Sequence, residues 1–190
     1  MRPTYKFGWI SDEKCSQDDQ YYEYPDIYAL ETTPEPECLL VAPSTQHISV
    51  MLDLLEAMPE PFWLLYVLVV PRGEAADGRY QSADTVSRDE AKLFLSRFKE
   101  FFECDGRHHI WIRAASSSDL LVYDKHNVIY AYGQLLEFEA VVASRGLTKV
   151  DHIQLPFPHA HHYNEIFDED ESALLRYWEW NRTPLEEGDE

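Results

Sequence analysis

Phe62-Trp63-Leu64-Leu65-Tyr66-Val67-Leu68-Val69-Val70 is an unbroken apolar run, rich in aromatic and β-branched residues. It falls well short of the roughly 20 residues that a membrane-spanning helix takes. As a strand, its side chains alternate between two faces, and here both faces are apolar. The run therefore predicts a central strand covered on both sides, and a layered domain of sheet and helices built around it.

The flanking segments supply those layers. Leu39-Leu40-Val41-Ala42 is a short apolar run, bounded by Pro36 and Pro43, that reads as a strand. Ser44 or Thr45 is placed to cap a helix whose apolar positions Ile48, Met51, Leu52, Leu55 and Met58 recur at helical spacing, and Pro59 ends it. After Val70, the segment Pro71 to Thr85 contains Gly73 and Gly78 with several charges and reads as a loop. Ser87 with Glu90 forms a capping box, followed by one apolar stripe of Ala91, Phe94, Leu95, Phe98, Phe101 and Phe102 that Asp105-Gly106 closes. His108 to Ala114 reads as a strand, and Leu120 to Tyr132 as a hairpin turning at Asp124-Lys125-His126-Asn127. A helix over Gln134 to Arg145 ends at Gly146, His152 to Leu155 reads as an edge strand, and Asp168 with Glu171 is placed to cap a last helix carrying Leu174, Leu175, Tyr177 and Trp178.

The first 37 residues carry irregular strand signals at Tyr5 to Ile10 and Asp26 to Thr33, separated by a polar, acidic loop at 11–20, and Thr183 to Glu190 reads as a fraying acidic tail. Together these give one α+β domain over 1–190: a mixed, mostly antiparallel sheet of about six or seven strands, covered by about four helices.

Charge narrows the partners. Sixteen Lys and Arg against 35 Asp and Glu give a net charge of −19, a field that repels nucleic acid and anionic lipid and favours encounter with a basic protein. Cys15, Cys38 and Cys104 include no Cys-x-x-Cys pair, and no secretory leader is evident, so free thiols in the cytoplasm are expected. No Gly-x-Gly-x-x-Gly, phosphate loop or Gly-x-Ser-x-Gly elbow occurs. Cys104 near His108 makes a poor nucleophile, since the helix end and the acidic Glu103 and Asp105 disfavour a thiolate.

The most distinctive chemistry lies in Pro156-Phe157-Pro158-His159-Ala160-His161-His162-Tyr163. In extended chain His159 and His161 point to one side, where imidazoles could share zinc or another divalent metal. His159, His161 and His162 are therefore the candidate ligands, with His126 or Asp124 at the hairpin turn and His108 or His109 on the neighbouring strand as sources of a third. Tyr163, Asp124 and His126 are also candidate binding residues, as is Trp180, expected to be an exposed ring beyond the core-facing stripe of the last helix. Two functional readings follow. The first is a non-enzymatic, cofactor-free protein-binding domain, comparable in size and charge to the immunity proteins that neutralise bacterial toxins. The alternative is a metal-binding protein or metal-dependent hydrolase using segment 159–162.

Overall fold

The structure, a computed structural model, describes residues 5–9, 20–32 and 36–189. Of the loop expected at 11–20, residues 11–19 with Cys15 lie outside the described residues, as do Ile10, Thr33 and Pro34, and Gln20 belongs to a strand. In chain order the elements are β1 (Phe7–Trp9), β2 (Gln20–Tyr21), β3 (Ile27–Glu31), β4 (Cys38–Ala42), α1 (His47–Ala57), β5 (Phe62–Leu68), β6 (Gly78–Ser82), α2 (Arg88–Arg97), α3 (Lys99–Cys104), β7 (His108–Ala114), β8 (Leu120–Tyr123), β9 (Ile129–Tyr132), α4 (Leu135–Ser144), β10 (Thr148–Lys149), β11 (His159–His161), a 3-10 turn (Glu165–Phe167), α5 (Asp168–Leu175) and β12 (Trp180–Thr183).

Nine strands form the main sheet in the order β10-β3-β4-β9-β8-β7-β5-β6-β12, and β11-β1-β2 form a small second sheet. Every pairing is antiparallel except that of β10 with β3. The class is the mixed, mostly antiparallel α+β arrangement that the patterning implies, with more strands. The added strands are those whose sequence is weakest. β6 (Gly-Arg-Tyr-Gln-Ser) lies inside the segment read as a loop, and β12 (Trp-Asn-Arg-Thr) reaches into the tail read as frayed. Both are ordered by ladders templated on β5, which pairs with β6, which in turn pairs with β12. No strand forms at 152–155. The chain leaving α4 turns at Gly146 (φ 89°) and lies directly beside β3, so Thr148 and Lys149 take that edge.

The helix ends depart from the sequence in an instructive way. The box at Ser87 and Glu90 closes reciprocally as expected, but Phe98 (φ −105°, ψ 19°) breaks the long stripe into α2 and α3. Ser44 does not cap α1; its hydroxyl and backbone N–H bond Asp26, while the Ile48 N–H donates to Glu103 of α3 at 2.8 Å. Asp168 and Glu171 do not cap α5 either. They accept instead from Arg107, whose fully buried guanidinium also forms a bidentate pair with Asp105.

Among the described residues, all five α-helices pack against one face of the sheet. Leu64, Tyr66, Ile110, Ile112, Leu121 and Tyr123 enter that core with Met51, Leu54, Phe94, Phe102, Phe138 and Leu174 from the helices. The opposite face is covered only at the β4–β9 end, where Phe7, Tyr24 and Val128 pack on Cys38, Leu40 and Ala42. Toward β5, β6 and β7 it is open, with Trp63, Leu65 and Trp111 half-buried and Arg113 exposed. The expectation that the Phe62 run is covered on both sides is thus corrected. Its ladder is central, but alternate side chains line a groove.

Candidate metal centre

The hairpin turn between β8 and β9 is built by its own side chains. Asp124 Oδ1 accepts from the backbone N–H groups of His126 and Val128, both at 2.9 Å. The Asp124 N–H donates to the Val128 carbonyl at 3.0 Å, which closes the loop. Asn127 takes the left-handed conformation (φ 62°) that Asn tolerates, and its side chain accepts from the Tyr123 hydroxyl at 2.7 Å. His126 is thereby held beside Phe7, on the side of the sheet away from the helices.

The His-rich segment arrives from the other side. β11 pairs antiparallel with β1, Phe7 opposite His161 and Trp9 opposite His159, so the two-residue period places His159 and His161 on one face. They meet His126 there. Ring centroids lie 5.2 Å apart for His126 and His159, 4.8 Å for His126 and His161, and 5.3 Å for His159 and His161. One ring nitrogen from each of the three lies within 4.8 Å of the others. Phe7 forms an apolar floor, its ring 5.8 to 6.1 Å from all three.

The tautomers follow from the partners. His126 Nδ1 is 2.8 Å from Asp124 Oδ2. Burial alone would raise the Asp124 carboxyl, but the His126 bond and charge, the Val128 N–H and Lys6 outweigh it and hold the group below its ordinary value. An ionised carboxylate only accepts, so His126 carries a proton on Nδ1, and Nε2 is the ring nitrogen left to meet a ligand. His159 Nδ1 lies 2.8 Å from the Pro156 carbonyl, with the same consequence. His161 Nδ1 is enclosed with no hydrogen-bond partner. Burial, then the neighbouring His126, Lys125 and His159, push the His161 imidazole down to about 3. It is neutral near pH 7.

Three imidazoles, one oriented by a carboxylate and one by a carbonyl, could serve as the donor set of an open zinc-type site, with outer hydrogen bonds to two of them in place. A tetrahedral ion with bonds of about 2.0 to 2.1 Å asks for nitrogens about 3.4 Å apart, and the three here lie within 4.8 Å of one another. Asp124 and His126 also border a recess of about 630 Å³, lined by His109, Trp111, Leu120, Val122, Tyr130 and Tyr132 among others.

Of the other candidates, His162 points away from the cluster and packs edge-on against Tyr5 at 4.4 Å. His108 is enclosed in the core against Phe101 and Phe102. Tyr163 lies just past β11 and is partly exposed. Trp180 is half-buried; its ring packs against Phe94 and Trp178, and its Nε1 donates to the Leu174 carbonyl at 3.3 Å. The floor residue Phe7 carried no signal in the sequence, since its role depends on β1 pairing with a strand more than 150 positions away. Among the described residues no helix is long and apolar enough to cross a membrane. No family model matches the chain, and neither the curated proteins nor the solved structures provide a match.

Proposed function

We propose that the protein binds a zinc-class divalent ion through His126, His159 and His161, with Asp124 orienting His126 from outside the coordination sphere. The observation that carries this reading is the convergence of three imidazoles from two distant segments, one of them with an enclosed and unbonded ring nitrogen. Burying such a nitrogen without a partner is costly, and an ion held by His161 Nδ1 would remove the cost. Three protein ligands leave a fourth position for water, the arrangement in which zinc makes hydroxide available near neutral pH and hydrolysis becomes accessible. The acidic surface supports a second reading, association with a basic protein, but that rests on net charge without a defined patch. The histidine cluster adds geometry and takes precedence.

The test is calorimetric titration of untagged, chelator-stripped protein with Zn²⁺, together with the visible spectrum of the Co²⁺ form. Binding of one ion with the intense bands of a four-coordinate site is expected. His126→Ala and His161→Ala should abolish it, His162→Ala should leave it intact, and Asp124→Asn should weaken it by about 10- to 100-fold. Absence of stoichiometric binding, or equal binding by His126→Ala, refutes the proposal.

A further inference from the structure

The uncovered face continues past the histidine cluster into a second recess of about 460 Å³, lined by Trp63, Leu65, Arg79, Gln81, Trp111, Arg113, Ser118 and Leu120. It shares Trp111, Ser118 and Leu120 with the larger recess beside His126. Its volume is that of a small-molecule site. Its charge runs against the rest of the molecule, since a chain of net charge −19 places two arginines here and no carboxylate among the lining residues. Arg113 is exposed, with no carboxylate within ion-pair distance among the described residues. Trp111 Nε1 is enclosed and has no hydrogen-bond acceptor among the described residues.

The chain itself supplies an anion at the rim. Beyond β12 the backbone bends into a turn in which the Asp189 N–H donates to the Glu186 carbonyl and the Glu186 N–H donates to Asp189 Oδ2. This turn sets Glu186 against Arg79 Nη1 and the buried Asp189 carboxylate 3.8 Å from Arg79 Nε. The Arg79 guanidinium in turn lies 5.3 Å from the Trp111 ring centre. Gly188 of the same turn lines the neighbouring recess. The segment expected to fray is therefore docked on the one cation that the recess shares with its rim.

We propose that this recess binds a small organic anion, a flat apolar body bearing a carboxylate, with the indoles of Trp63 and Trp111 holding the body and Arg113 and Arg79 the charge. The carboxy-terminal turn is a built-in competitor: its carboxylates occupy Arg79 when the ligand is absent. The site does not depend on the metal centre, so the two readings can fail separately.

The test uses chelator-treated full-length protein, tryptophan fluorescence as the readout, and naphthalene-2-carboxylate as probe with the neutral naphthalene-2-carboxamide as its charge-free counterpart. The expected result is 1:1 binding of the carboxylate at least tenfold tighter than that of the amide, since a hydrogen bond to an ionised partner is the stronger kind. Arg113→Met, at an exposed position, should leave thermal unfolding unchanged and weaken the carboxylate by about tenfold. Glu186→Gln should tighten it by roughly two- to fivefold, the scale of a released solvent-facing ion pair. Equal affinity for carboxylate and amide, no binding of either at millimolar concentration, or an unchanged affinity in Arg113→Met overturns the anion site. Unchanged or weaker binding in Glu186→Gln overturns the competition by the turn.

Discussion

Lowering the pH from 7.5 to 5.5 should remove a large part of this protein's stability, well above the pH at which carboxylates usually cause acid unfolding. Besides His161 of the candidate metal centre, three imidazoles are folded into surroundings that oppose their charged form. His47 is stacked on the Tyr123 ring at 5.5 Å, and burial, reinforced by the charge of Lys6, pushes it down to about 3. His108 is fully enclosed, and burial followed by Lys6, His109 and Arg107 pushes it well below its ordinary value. His109 is pushed down to about 4, again chiefly by burial. In the unfolded chain all three titrate near 6.5. Between 7.5 and 5.5 the unfolded state therefore takes up protons that the folded state refuses, and stability falls with pH. Integrated over that window, each imidazole costs about 1.4 kcal/mol, or about 4 kcal/mol for the three, and the partly exposed His161 adds a smaller share. A domain of this size has about 5 to 15 kcal/mol in all. The assay is urea unfolding at pH 7.5, 6.5 and 5.5 with chelator present, so that metal release does not contribute. His108→Phe keeps an aromatic ring against Phe101 and Phe102 and should reduce the loss by about a quarter to a third. A stability that is flat across this window, or a His108→Phe profile parallel to wild type, would refute the reasoning.

Lys6 gives a related prediction on the alkaline side. Its ammonium is fully buried 3.7 Å from the centre of the Tyr123 ring, and burial lowers it to about 7 against the opposing pull of Asp124, Asp105 and Glu103. The unfolded lysine binds its proton up to about 10.4, so stability rises from pH 7 to pH 10 by about 3 kcal/mol on this account. Lys6→Met should be more stable than wild type in urea at pH 7, with the difference shrinking toward pH 10; a less stable variant at pH 7 contradicts it. At the other buried cation, Arg107→Met strands Asp105 and Glu171, both enclosed, and should cost about 3 to 5 kcal/mol in the same assay. A loss under 1 kcal/mol would mean that the network is not what anchors α5.

The helix layer was legible because each of its signals is local. The Ser87–Glu90 box, the stripe from Ala91 to Phe102 and the left-handed Gly146 are spelled out within a few residues of where they act, and short-range geometry needs no partner to be read. The same holds for the Asp124 to Asn127 turn and for the shared side of His159 and His161. The signals at Ser44, Asp168 and Glu171 failed because each side chain had a stronger long-range option, Asp26 for the first and Arg107 for the other two.

The tertiary structure alone decided what the open face holds. β6 and β12 carry polar sequences that become strands only because β5 offers an unpaired edge, and through β6 Arg79 reaches the recess. An apolar run fixes where a strand is buried on average, but its alternation cannot say which neighbours arrive to cover each face. Here helices cover one face. The other receives β1 and β11 at one end, and with them the two histidines that join His126, while the remainder stays open beside Trp63 and Trp111. Residue type and local spacing follow from sequence; meetings between positions such as His126 and His161, or Arg79 and Glu186, are set by which strand ladders close, and that is a property of the whole chain.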